Sequence, residues 1–129
     1  MTLTNGEQKI FIWIDFTPET EVVLFHAVQV ALILNKEICL LYHAAKGTRK
    51  KEDAESRLIK LTRPIAELLG SERVHFCLND SPLTSILTVL AEEYDALLLV
   101  AHKKNSQELL KQLPHGVPLF ICFGPKWHR

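Results

Sequence analysis

Five short apolar runs, set apart by stretches with helical marks, constrain this chain more than any other feature. They are Ile10–Ile14, Ile38–Tyr42, Val74–Leu78, Ala96–Val100 and Leu119–Phe123. Runs this short, rich in β-branched, leucine and aromatic residues, read as strands buried on both faces. The first helix is announced by Thr17-Pro18-Glu19, an N-cap, a proline at the first helical position and an acid in the first turn. It runs from Pro18 to about Leu34 and closes at Asn35 and Lys36. A basic loop, Lys46 to Lys51, precedes a second helix striped by Ala54, Leu58, Leu61, Ile65 and Leu68, with Gly70 as its stop. Pro64 lies inside that stripe and predicts a bend or a break. Asp80-Ser81-Pro82 caps a third helix carrying Leu83, Ile86, Leu87, Leu90 and Ala91. Asn105-Ser106-Gln107-Glu108 has the spacing of a capping box for a short fourth helix, and Pro118 leads into the last strand.

Strands that alternate with helices pair in parallel, because each crossover needs a helix's length of chain. Right-handed crossovers then predict an α/β fold: a doubly wound, five-stranded sheet in the order 3-2-1-4-5 with helices on both faces. The length of 129 residues suits one domain, 1–129, with its core over about 8–124.

Lys plus Arg is 15 and Asp plus Glu is 15, so the net charge is zero, which favours neither nucleic acid nor an anionic membrane as partner. The longest apolar stretch, Val22–Leu34, is interrupted by His26 and Gln29 and is too short to insert across a bilayer. The N-terminus lacks the charged and apolar regions of a signal peptide. Cys39, Cys77 and Cys122 have no CxxC or zinc-ligand spacing and read as buried thiols of a reducing cytoplasm.

Ligands of doubly wound sheets sit beyond the carboxyl ends of the strands where the order reverses, here between strands one and four. Asp15, Phe16 and Thr17 would line that switch point from one side, and Ala101, His102, Lys103, Lys104 and Asn105 from the other. His43 also ends a strand on this edge, and Lys46, Arg49, Lys50 and Lys51 follow the same strand. The lysines admit two readings, an anion site or a solvated loop with a Lys103–Asp15 ion pair. Ser81, Ser85 and Ser106 have no base placed beside them by the sequence and read as caps or packing residues. No glycine-rich phosphate loop, GxSxG, HxH or HExxH pattern occurs, so no metal site and no activated nucleophile is expected.

In the order and spacing of three segments the chain resembles the universal stress protein family. One is the first strand ending in Asp15, followed by Thr17-Pro18 and an apolar helix. The next is Ser85–Val100, with its acidic pair and the strand Asp-Ala-Leu-Leu-Leu-Val, and the last is Ser106–Phe123 with Pro118 before the final strand. The resemblance spans Ile10 to Phe123 and implies an adenine nucleotide alpha hydrolase-like fold. Nucleotide-binding members carry a Gly, two residues, Gly, nine residues, Gly-Ser or Gly-Thr segment after strand four. Here those positions fall on Ala101, Lys104 and Asn105-Ser106, the long middle stretch is missing, and no glycine occurs from Ala91 to Leu113. A phosphate cradle of the family type cannot be built from this loop, since such glycines let the backbone N–H groups approach the phosphates. The chain therefore reads as a variant lacking the family's ATP-binding loop, with no cofactor expected and ATP or AMP disfavoured. Asp15 matches an acidic position that binding members use, and Ser106 is what remains of the final Gly-Ser pair; with Thr17, His43, His102, Lys103 and Lys104 from the carboxyl edge of the sheet, they are the ligand-binding candidates.

The first helix is apolar nearly all the way round, although a surface helix needs only one stripe. His26 on it reads as an interior or interface residue. Family dimers commonly pair through the fifth strands, and Leu119, Phe120, Ile121, Cys122 and Phe123 carry no charge, so an open edge there invites association. The expectation is a cytoplasmic, non-catalytic, stress-linked regulatory module. It would act as a homodimer through strand five and through protein contacts, with the first helix as a second contact. The alternative is a sensor binding a nucleotide or other anion through Asp15, Lys103 and Lys104. A hydrolase acting on such a ligand has the least support.

Overall fold

In a computed structural model the described residues are 8–43, 48–79, 83–92, 96–113 and 117–122. Strands β1 (Lys9–Ile14), β2 (Glu37–His43), β3 (Val74–Asn79), β4 (Ala96–His102) and β5 (Leu119–Cys122) form one sheet in the order β3-β2-β1-β4-β5. Every neighbouring pair is parallel. The order read from the alternation of apolar runs and helices is thus the observed one.

Position in the sheet explains composition. β1 is central, and Ile10 to Ile14 are all buried. β5 is an edge strand; Phe120 is exposed, Leu119 and Ile121 are half-buried, and Cys122 is buried. Phe123 lies outside the described residues.

Helices α1 (Pro18–Leu34) and α2 (Thr48–Leu69) pack on one face, where Val23, Ala27, Ala31, Leu58 and Leu69 join Ile10, Ile12, Ile38 and Leu40. Helices α3 (Leu83–Glu92) and α4 (Lys103–Gln112) cover the other, where Ile86, Leu87, Leu90 and Leu109 meet Phe11, Trp13, Leu41 and Leu99. The period-2 alternation of each strand sends odd and even residues of β1 to these two cores.

Several local expectations are corrected. Residues 48–51 belong to α2 instead of a basic loop, and α2 continues through Pro64 without a break. Pro64 is exposed, as is Lys60, the residue whose carbonyl loses its N–H partner to the proline ring. The α2 stripe ends on Leu69, which is buried, while Leu68 is 63% exposed. At 100° per residue both lie about 50° from the centre of the stripe, so periodicity alone does not choose between them. The proposed cap at Asp80-Ser81-Pro82 lies outside the described residues. α1 ends as expected: Asn35 takes the left-handed conformation (φ 58°), and its N–H bonds to the carbonyl of Ala31. Asn adopts this conformation more readily than most residues.

Candidate functional site

The central reversal of the sheet brings the carboxyl ends of β1 and β4 side by side. From there the chain turns to α1 on one face and to α4 on the other. Asp15 is the first residue after β1. Its Oδ1 accepts from the Thr17 N–H at 3.1 Å, from the Thr17 hydroxyl at 2.7 Å, and from the Thr20 hydroxyl. Its Oδ2 accepts from Asn105 Nδ2 at 3.1 Å and pairs with Lys104 Nζ at 3.1 Å. A carboxylate offers about four lone-pair positions, so these groups saturate it. The Asp15 N–H in turn donates to Thr20 Oγ1 at 3.2 Å, which closes the turn on itself.

The electrostatics follow. Burial by itself pushes the Asp15 carboxyl up, but hydrogen bonds from Thr20, Thr17 and Asn105 outweigh it and hold the group well below the usual carboxylate range. The Lys104 ammonium loses some hydration, yet Asp15 and then Glu19 raise its pKa. Lys104 Nζ also donates to Thr17 Oγ1 at 2.7 Å and lies 3.4 Å from Glu19 Oε1. Its donors are thus directed at three groups of the β1–α1 junction.

The expected Lys103–Asp15 pair is instead made by Lys104. The reason is the start of α4. β4 ends at His102 and α4 begins at Lys103, with no connecting residue. This start is three residues earlier than the capping-box reading placed it. His102 is the N-cap, its Nδ1 accepting from the Lys104 N–H at 3.1 Å. Lys103 is exposed at the first helical position. Asn105, read as a cap, instead reaches Asp15. Ser106 is buried within α4, where its hydroxyl donates to the Lys103 carbonyl at 2.8 Å. Thr17 is the N-cap of α1, but its hydroxyl serves Asp15 and Lys104 in place of the helix.

Of the candidates from sequence, Asp15, Thr17 and Lys104 meet, His102 and Lys103 flank them, and Ser106 faces its own helix. His43 stands apart, its ring 6.2 Å from that of Trp13 in the α3–α4 core. His102 Nε2 is buried and has no hydrogen-bond partner among the described residues. Sequence reasoning missed Thr20, whose signal was its place three residues after Thr17 on the first turn of α1. His26 is exposed beside Phe25 and is not interior.

Phe16, between Asp15 and Thr17, has φ 60°, a conformation that costs a residue other than glycine about 1–2 kcal/mol. It turns the ring away from Asp15 onto Tyr42, with centroids 4.6 Å apart, and the Arg57 guanidinium lies 4.6 Å from the ring centre. A cavity of about 420 Å³ opens here, between α1 and α2, lined by Phe16, Pro18, Glu21, Arg57, Lys60 and Leu61 among others. Thr17 and Thr20 line it as well, whereas Asp15, Lys104 and Asn105 do not. Among the described residues no cluster of His, Cys, Asp or Glu could hold a metal ion. No helix among them is long and apolar enough to cross a membrane. Cys39 and Cys122 are buried, whereas Cys77 is only half-buried, and burial pushes the Cys39 thiol up to about 12.

No family model and no curated protein sequence matches the chain. Solved structures do. A universal stress protein of Archaeoglobus fulgidus in complex with dAMP superposes with a TM-score of 0.67 at 14% identity, over 90% of this chain and 98% of that one. A universal stress protein in complex with cAMP gives 0.68 at 13% identity, over 91% and 97%. A protein of the universal stress protein family from Burkholderia pseudomallei gives 0.63 at 15% identity, over 91% and 96%. The chain therefore has the fold of the universal stress proteins, which is adenine nucleotide alpha hydrolase-like. The resemblance drawn from the order of its segments is met by the fold.

Proposed function

We propose that this chain is a non-catalytic module on the universal-stress-protein fold, whose family-type nucleotide position is taken over by its own side chains. The observation that carries this reading is the closed network around Asp15. The carboxylate that would face a ligand is saturated by Thr17, Thr20, Lys104 and Asn105. The direct passage from β4 into α4 supports it, because it leaves no loop to wrap a phosphate. The site needs no resident cofactor, and ATP and AMP are disfavoured. Function then passes through protein contacts, as stress-linked regulation in the cytoplasm. The module acts as a homodimer paired along the open edge of β5, where Leu119, Phe120 and Ile121 are only partly covered by the described residues.

A second reading is favoured by the nucleotides held in two of the similar structures, dAMP and cAMP. In it the switch point senses a nucleotide or another anion through Asp15, Lys103 and Lys104. Lys104 would then have to leave Thr17 and Glu19 for the ligand.

A thermal-shift titration with ATP, ADP, AMP, dAMP and cAMP, with and without magnesium, decides between them. A ligand at 100 times its Kd stabilises by about 2.7 kcal/mol, which is plainly visible as a shift. We expect no shift at millimolar nucleotide. A saturable shift that Lys104→Ala abolishes would overturn the closed-site reading in favour of the sensor.

A further inference from the structure

The fourteen residues from Val22 to Asn35 contain no Asp, Glu, Lys or Arg. The sheet uses only one side of this helix: Val23, Leu24, Ala27, Val28 and Ala31 are buried. The opposite side is centred on Gln29. It presents Phe25 at 62%, Ile33 at 82% and Leu32 at 47% exposure, with His26 and Gln29 also exposed. Such residues make up an apolar area on the order of 400 Å², comparable to the largest patch of a typical monomer.

We propose that this face of α1 is a self-association surface, on which a second copy of the same chain lays its own α1 antiparallel, crossing at Gln29. The pattern is its own complement. About a two-fold axis through Gln29, Phe25 meets the partner copy's residue 33 and His26 meets residue 32, so an isologous contact places aromatic on aliphatic. The ends complement as well. Glu21 lies eight residues before the centre and Lys36 seven after it. α1 ends at Leu34, and Lys36 lies just past its C-cap, so an antiparallel pair brings Glu21 to the end that carries the partner copy's Lys36, while the neighbouring Glu37 is already engaged by Lys9 and His75 of its own chain. The antiparallel pair also sets each helix N-terminus beside a C-terminus, so the helix dipoles attract. A parallel pair would set Glu21 against Glu21 and Lys36 against Lys36. The uncharged middle offers no specificity to a charged partner, and the acids Glu19 and Glu21 at one end oppose an anionic lipid surface. This contact is separate from the β5 edge and does not depend on the closed-site reading.

Cysteine pairing in the full chain tests it. Phe25→Cys and Ile33→Cys proteins are oxidised alone and mixed, with wild type reporting its native thiols and Lys60→Cys, exposed on α2, reporting random collision. We expect a covalent dimer at least tenfold faster in the mixture than in either protein alone or in the Lys60→Cys control. We also expect Ile33→Glu to raise the dimer Kd at this face at least tenfold by sedimentation in a Phe120→Lys background, which removes the β5 edge from the count. Equal rates in mixed and unmixed samples, self-pairing at either position, or a mass unmoved by Ile33→Glu would overturn the proposal. Loss of association by Phe120→Lys alone, with the mixed cross-link absent, would leave β5 as the interface and refute this one.

Discussion

The turn that leaves β1 and the outer face of α1 adjoin in the chain, yet the fold treats them in opposite ways. At the turn, Thr17, Thr20, Lys104 and Asn105 converge on Asp15, and the carboxylate's polar demand is met inside the molecule. Further along the helix, from about a turn and a half to more than three turns on, Phe25, Leu32 and Ile33 stand exposed, and their apolar demand is not met by the described residues. A polar group that is already satisfied gives a ligand little to gain, since each new bond must replace one present. An exposed apolar face gains with every atom covered. The contrast locates interaction on the helix and stability at the turn.

The strongest way to break that contrast is Asp15→Ala. It removes the acceptor of Thr17, Thr20 and Asn105 and leaves the Lys104 ammonium with only Thr17 Oγ1 and Glu19. Loss of a charged acceptor with several partners should cost about 3 kcal/mol. For a domain of this size that is a fall in Tm of roughly 10 °C. Urea denaturation checks it, and a loss below about 1 kcal/mol would show that the network is not structural.

The two sides of α1 give a sharper and smaller effect. Ala27 is fully buried and Ile33 is 82% exposed. Ala27→Leu overfills the space above β1 and β4 and should cost about 1–3 kcal/mol. Ile33→Glu should change the stability of the monomer by less than about 0.5 kcal/mol, since it touches solvent. Equal losses at the two positions, measured at a concentration where the protein is monomeric, would mean that the outer face is covered after all.

The frame was legible because apolar runs and helix signals alternate without interruption, and parallel pairing follows from that alternation. The candidate site was legible only in part. Topology places Asp15 and the start of α4 together, so the neighbourhood could be named. The choice of Lys104 over Lys103 depends on where α4 begins. Asn105 is the stronger N-cap by preference, yet the fold starts α4 from His102, and the two starts differ by the better part of a helical turn. Thr20 was not singled out because a threonine in a first turn usually serves its own helix. Leu68 and Leu69 are equally placed about the α2 stripe, so burial followed from how the helix meets β3. The exposed side of α1 could be seen as an excess of apolar residues, but whether neighbouring helices covered it is a tertiary fact.

The smallest effect separates the two halves of the Asp15–Lys104 pair through pH. Asp15 has a lowered pKa in the fold, so its contribution is fully present above the ordinary aspartate value near about 4. It is lost as pH falls below that value towards the folded one. Lys104 has a raised pKa, so its contribution is fully present below about 10.4 and is lost as pH climbs through the folded value. Four neutral hydrogen-bond donors from three residues hold Asp15 besides the ammonium, whereas Lys104 is partly exposed and screened by water. Lys104→Met should therefore cost only a few tenths of a kcal/mol to about 1 kcal/mol at neutral pH, and less in high salt. The variant should flatten the alkaline limb of the stability curve while leaving most of the acid limb in place. Asp15→Asn should do the reverse and remove the acid limb below pH ~4. If Lys104→Met erased the acid limb as well, the ion pair rather than the threonines and Asn105 would be what holds the turn. The switch point would then depend on a cation that a bound anion could draw away.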